Sequence, residues 1–188
     1  MRSVQLSNIN SKCHRLINSR FPTIGVFDDL QGLEPEDIRF AFELEMATSG
    51  RSTLPQQRLK LLPEDQYVTG DTSSIIMAAY LHADEAGGRF SDSRLGAWYA
   101  ALDLKTAISE VLYHNHRRLS ASKGGFPCSI QMREMICNVD CDLIELRGEG
   151  PERSELYHLN DYAQSQNFAA YYRWEADERR TNRGVVFD

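Results

Sequence analysis

The stretch from Asp103 to Arg118 constrains this chain more than any other part of its 188 residues. Asp103 is an N-cap residue type, able to accept a hydrogen bond from the unpaired N–H groups of a first helical turn. Behind it, Leu104, Ala107, Ile108, Val111, Leu112 and Leu119 recur at helical spacing and fall on one face. Gly124 and Gly125 end that region, and from Cys128 to Val139 the pattern changes to β, with Ser129-Ile130-Gln131-Met132 alternating. The chain therefore combines a long amphipathic helix with strand-forming segments.

The rest of the chain divides the same way. Arg15 to Ile17 reads as a short strand start, and Pro22 to Gly25 is turn-rich. Pro35-Glu36-Asp37 opens a helix, because proline fits the first helical position and acids suit the positive end of the dipole. Ile38, Ala41, Phe42 and Met46 share its face, and Gly50 is placed to stop it. Pro55 and Pro63 act as breakers within residues 51–70. Ser74 to Leu81 fits either a strand or a buried helical turn. Trp98-Tyr99-Ala100 reads as strand, Leu143 to Leu146 as a further short strand, and Asp161 to Arg173 as helix. The polar stretch Glu175 to Arg183 leads into Val185-Val186-Phe187, an apolar strand start with only Asp188 after it.

Composition limits what the protein can do. Hydrophobic residues make up 41%, enough for a core and too many for a disordered chain. With 21 Lys+Arg against 27 Asp+Glu, the formal charge is -6, so the chain has no general attraction to nucleic acid, although a local basic pocket could hold a small anion. No apolar run is long enough to span a bilayer, and the start of the chain lacks the apolar core of a signal peptide, so a cytoplasmic protein is expected. Of Cys13, Cys128, Cys137 and Cys141, only the last two are close in sequence, and no partner pair completes a zinc site. Reduced, packing cysteines and no metal are expected.

Four side chains invite a chemical reading. Glu110 lies off the centre of the apolar face, flanked by Thr106, Tyr113, His114 and Arg117. Spacing alone favours a solvated edge paired to His114 one turn on. Arg89 follows Gly87-Gly88, where glycine leaves room beside the backbone and an arginine can either grip phosphate or simply decorate a turn. Tyr99 is either a core tyrosine or a wall for a flat ring. Arg15, between His14 and Leu16, carries the same two readings.

Their order in the chain carries a resemblance. His14-Arg15-Leu16 is followed by Ile76-Met77-Ala78-Ala79-Tyr80-Leu81-His82 and then by Gly88-Arg89-Phe90-Ser91-Asp92. Gly96-Ala97-Trp98-Tyr99-Ala100-Ala101, Thr106-Ala107-Ile108-Ser109-Glu110 and Tyr113-His114 come next, with Tyr162-Ala163-Gln164-Ser165-Gln166 and Gly184-Val185-Val186-Phe187-Asp188 much later. This series resembles the RES domain from about residue 12 to the last residue, most specifically between Arg89 and His114. Two departures stand out: Ser93 replaces a frequent glycine, and the sequence stops at Asp188, where relatives continue with a catalytic serine.

The resemblance implies a single RES domain over 1–188 in the α+β class, similar to ADP-ribosyltransferases, with two small, mostly antiparallel sheets and flanking helices around an NAD cleft. It implies a toxin of a bacterial toxin–antitoxin pair, with an Xre-type antitoxin as protein partner and NAD as substrate. The expected reaction is cleavage of the nicotinamide–ribose bond by hydrolysis or phosphorolysis. ADP-ribosylation of a protein is the alternative. On the same basis Glu110 and Arg89 are catalytic, and Arg15, Arg89 and Tyr99 bind NAD in a cleft they share with Glu110. The ending at Asp188 is read as a shortened form lacking its last strand or strands. Such a form is expected to be weakly active or inert, retaining only antitoxin binding, and to be stabilised by that partner or by self-association.

Overall fold

The computed structural model describes residues 4–22, 25–49, 54–174 and 184–187. The expected helix stop at Gly50 and the polar stretch Glu175 to Arg183 lie outside the described residues. Helices and a small sheet make up a mixed α+β fold, as expected. The strands are β1 (Leu6–Asn18), β2 (Met132–Glu145) and β3 (Val185–Val186), and they form a three-stranded sheet in the order β1-β2-β3. Two small sheets were expected; among the described residues there is one.

The chain divides into two compact units. The first comprises residues 1–5, 23–98 and 144–188. It holds α1 (Pro35–Ser49), α2 (Leu54–Leu59), α3 (Ser73–Leu81) and α5 (Ala163–Trp174). Ile38, Phe42 and Met46 of α1 pack with Leu59 of α2, Met77 and Leu81 of α3, and Phe27 and Leu30 of the preceding turn. The apolar stripe read from the sequence of α1 is thus its buried stripe. The run at 74–81 resolves as helix because it is buried against α2 and the 26–29 turn rather than beside a strand. Pro55, read as a breaker, sits in the first turn of α2, where its missing N–H costs nothing.

A second cluster in this unit gathers Phe90, Ile144, Leu146 and Leu156, with Phe168 and Tyr172 of α5 packed on it. Here β3 runs parallel to the end of β2, pairing Ile144 with Val185 and Glu145 with Val186. The apolar Val185-Val186-Phe187 segment finds its partner there, and the Phe187 ring lies 4.8 Å from that of Phe90.

The second unit comprises residues 6–22 and 99–143. It holds β1, most of β2 and α4 (Leu104–Ser120), which packs on β1. Asn8 faces Asp142, Asn10 faces Asp140 and Cys13 faces Cys137, so the partners advance in opposite directions and β1 and β2 run antiparallel. Both strands are longer than expected. The 15–17 segment belongs to a strand that starts at Leu6, and 143–145 continues β2 rather than forming a new strand. Cys128 to Ile130, in contrast, precede β2. Trp98-Tyr99-Ala100 is not a strand: only Ala101 makes an isolated bridge, to His14, in place of a ladder.

Candidate functional site

In the first unit the candidate residue is Arg89, carried on a closed turn. Gly88 N–H donates to Ser91 O at 2.7 Å, and Gly87 N–H to Asp84 O at 2.9 Å. Gly87 has φ of 72°, and a Cβ there would overlap the Ser91 carbonyl oxygen, so this position requires glycine. The Gln166 side-chain amide of α5 donates to Ala86 O at 2.9 Å and to Gly88 O at 3.0 Å, holding the turn from outside. Farther along, Arg173 reaches Leu95 O and Gly96 O, and the buried Arg58 reaches Leu81 O and Ser93 O. Three side chains from α2 and α5 thus clamp carbonyls from the last residue of α3 to Gly96.

Arg89 itself is anchored. Its Nη1 donates to His158 O at 2.8 Å and Leu156 O at 3.2 Å, and its guanidinium lies 4.7 Å from the centre of the Tyr162 ring. One amino group of the guanidinium is thereby fixed on backbone carbonyls, and the cation lies within cation–π reach of the Tyr162 ring. His158 Nδ1 accepts from Asp161 N–H at 2.9 Å. Next to the turn, Asp92 is held below the usual carboxylate range: its burial works the other way, but bonds from Arg94 and that residue's charge outweigh it.

In the second unit, Arg15 on β1 donates from Nη1 to the Tyr99 carbonyl at 2.8 Å. Arg15 and Tyr99 are therefore brought together, through the tyrosine's backbone rather than its ring. The neighbouring bridge is tight, with His14 N–H to Ala101 O at 2.7 Å and Ala101 N–H to His14 O at 2.9 Å. His14 also bonds Glu134 through Nδ1 at 2.7 Å.

Glu110 stands on α4, whose start is set as the sequence implies. The Asp103 carboxylate accepts the Thr106 N–H at 2.9 Å and the Thr106 hydroxyl at 2.7 Å, and these bonds hold its pKa below the ordinary value. The Glu110 side chain is 60% exposed and lies 3.4 Å from His114 one turn on. That is the pair expected from spacing alone. Arg89 belongs to the first unit, and Arg15, Tyr99 and Glu110 to the second.

The apolar face of α4 is the main departure from expectation. Of its residues only Ala107 is buried, whereas Ile108 is 41% and Leu112 63% exposed. A depression of about 460 Å³ in the same unit is lined by Asn18, Ser19, Arg20, Ser129, Ile130 and Gln131, and includes none of the four candidates. Among the described residues no group of three or more His, Cys, Asp or Glu could hold a metal ion. No helix there is long and apolar enough to cross a membrane.

Sequence reasoning named Tyr162 and Gln166 only as part of an ordered series and missed Arg58 altogether. The signal for Gln166 was its place in that series; a lone arginine between Gln57 and Leu59 carries no comparable signal. Compared with known proteins, residues 62–180 match the family model described as RES domain. No curated protein and no solved structure matches the chain.

Proposed function

Because the chain belongs to the RES-domain family, we propose that it is the toxin enzyme of a toxin–antitoxin pair and depletes NAD by cleaving the nicotinamide–ribose bond. The observation that carries this reading is that the matched segment includes Arg89, Tyr99 and Glu110, with Arg89 already anchored in a form suited to phosphate. Breaking that bond builds positive charge on the ribose, and a carboxylate beside it stabilises the charge. Glu110 takes this role, its carboxylate being solvent-facing rather than locked in a buried pair. Arg89 and Arg15 hold the pyrophosphate or adjoining ribose, and Tyr99 supplies the wall for the nicotinamide. Nicotinamide leaves neutral with the bonding electrons, so it needs no proton from the protein. Water or phosphate then takes its place on the ribose. The fold proposed for this chemistry is that of ADP-ribosyltransferases.

The partner proposed is an Xre-type antitoxin. The exposed Ile108 and Leu112 of α4 favour a protein partner, since apolar surface of this kind is what such a contact covers.

The test is nicotinamide release from NAD by the purified protein. It is run in buffer, with added phosphate, and with a cell extract as acceptor. Glu110→Ala is expected to lower turnover by about 100-fold or more. Intact NAD under all three conditions would overturn the reading. Product formed only with the extract would favour ADP-ribose transfer to protein instead.

A further inference from the structure

The two cysteines nearest in sequence, Cys137 and Cys141, are not the pair that meets in space. Cys137 on β2 instead faces Cys13 on β1, with Sγ atoms 3.0 Å apart. We infer that Cys13 and Cys137 are a site of reversible oxidation that closes a covalent link between β1 and β2. Directly opposed residues of antiparallel strands have Cα atoms about 4.5–5.5 Å apart, inside the range a disulfide spans. The strands therefore need no rearrangement for the link to form.

Exposure sets the order of events. Cys13 is 2% exposed, while Cys137 is only partly buried and is the sulfur an oxidant reaches first. With a small disulfide as oxidant, the Cys137 thiolate attacks one of its sulfurs and expels the other half as thiolate. The Cys13 thiolate then attacks the Cys137 sulfur and expels the second half. Two protein thiols lose two electrons and two protons, and the oxidant leaves as two thiols. Cys141 is exposed as a residue but its thiol is partly desolvated, and this together with the charges of Asp140 and Asp142 pushes its pKa up and makes it a poorer competitor.

The link joins positions 124 residues apart, and longer loops restrict the unfolded chain more. It also fixes the strand that carries Arg15 two residues on. The inference concerns unit two alone and stands whether or not NAD is the substrate.

The experiment treats the whole chain with glutathione disulfide, alkylates the remaining thiols, and maps the products by mass spectrometry. The expected result is one peptide pair joining Cys13 to Cys137, reversed by dithiothreitol, with alkylated Cys128. The melting temperature of the oxidised form should rise by about 5–10 °C. Cys13→Ser should stall with glutathione held on Cys137, and Cys137→Ser should leave Cys13 unmodified. Should either fail to fold, Cys128→Ser with Cys141→Ser must still give the same link. Both thiols recovered alkylated, a glutathione adduct on Cys137 beside an alkylated Cys13, or a link to Cys128 or Cys141 would overturn the inference.

Discussion

At the scale of single residues, two glycines with similar backbones separate conformational from steric demand. Gly32 has φ of 82° and nothing within 4 Å of where a Cβ would lie. Gly87 has φ of 72° and would drive a Cβ into the Ser91 carbonyl and close to Gln166. Gly32→Ala should cost about 1–2 kcal/mol, the ordinary penalty of a left-handed alanine. Gly87→Ala should cost at least about 3 kcal/mol, because the overlap is with backbone and adds to that penalty. Urea denaturation of both variants checks the difference; equal losses would mean that the Arg89 turn relaxes freely. Residue type and order nominate the four candidates, but their contacts could not be read. That Arg89 rests on the carbonyls of Leu156 and His158, some seventy positions on, depends on tertiary structure that no local pattern encodes.

At the scale of elements, the legible parts were those whose periodicity coincides with burial. The face of α1 was read correctly because Ile38, Phe42 and Met46 all enter the core. On α4 the start, length and cap were read correctly, yet Leu104, Ile108 and Leu112 stay exposed. Periodicity reports a face that can be buried, and the line actually covered runs through Ala107. The sequence signal at 98–100 failed for a related reason: aromatic residues favour strands only where a neighbouring strand offers a ladder, and here the pairing is limited to Ala101 and His14. A direct consequence can be measured. Leu112→Ser should change stability by no more than about 0.5 kcal/mol, as for an ordinary surface position. Ala107→Leu, at the buried line against β1, should destabilise by about 1–3 kcal/mol through overpacking. The reverse order in thermal melts would show that the Ile108 and Leu112 side of that face, rather than the Ala107 line, is the buried one.

At the scale of the whole molecule, the titrating groups give stability a definite pH profile. Asp28, Asp92 and Asp103 all have lowered pKa values. For Asp28, burial opposes ionisation, but the backbone N–H groups of Gly25 and of Ser74, at the start of α3, donate to its carboxylate and outweigh it. A carboxylate with a depressed folded pKa binds fewer protons folded than unfolded. Its contribution is fully present above the unfolded pKa and is lost as pH falls through the folded one. Tyr67 is shifted the opposite way, raised chiefly by burial, so its contribution holds below its unfolded value and disappears as pH rises through the folded one. Stability should therefore plateau through neutral pH and fall on both the acid and the alkaline side. Urea midpoints across that range test this, and a flat acid limb would contradict the assigned carboxylate bonds. The parallel pairing of β3 on β2 has a consequence for synthesis. The backbone N–H groups of Ile144 and Leu146 are satisfied by Gly184 and Val186, which the ribosome adds only after residues 147–183. At about 5–20 residues per second that is a wait on the order of seconds. Until then the end of β2 keeps two backbone N–H donors without the strand that satisfies them in the folded protein, so this corner of the sheet is the last to close.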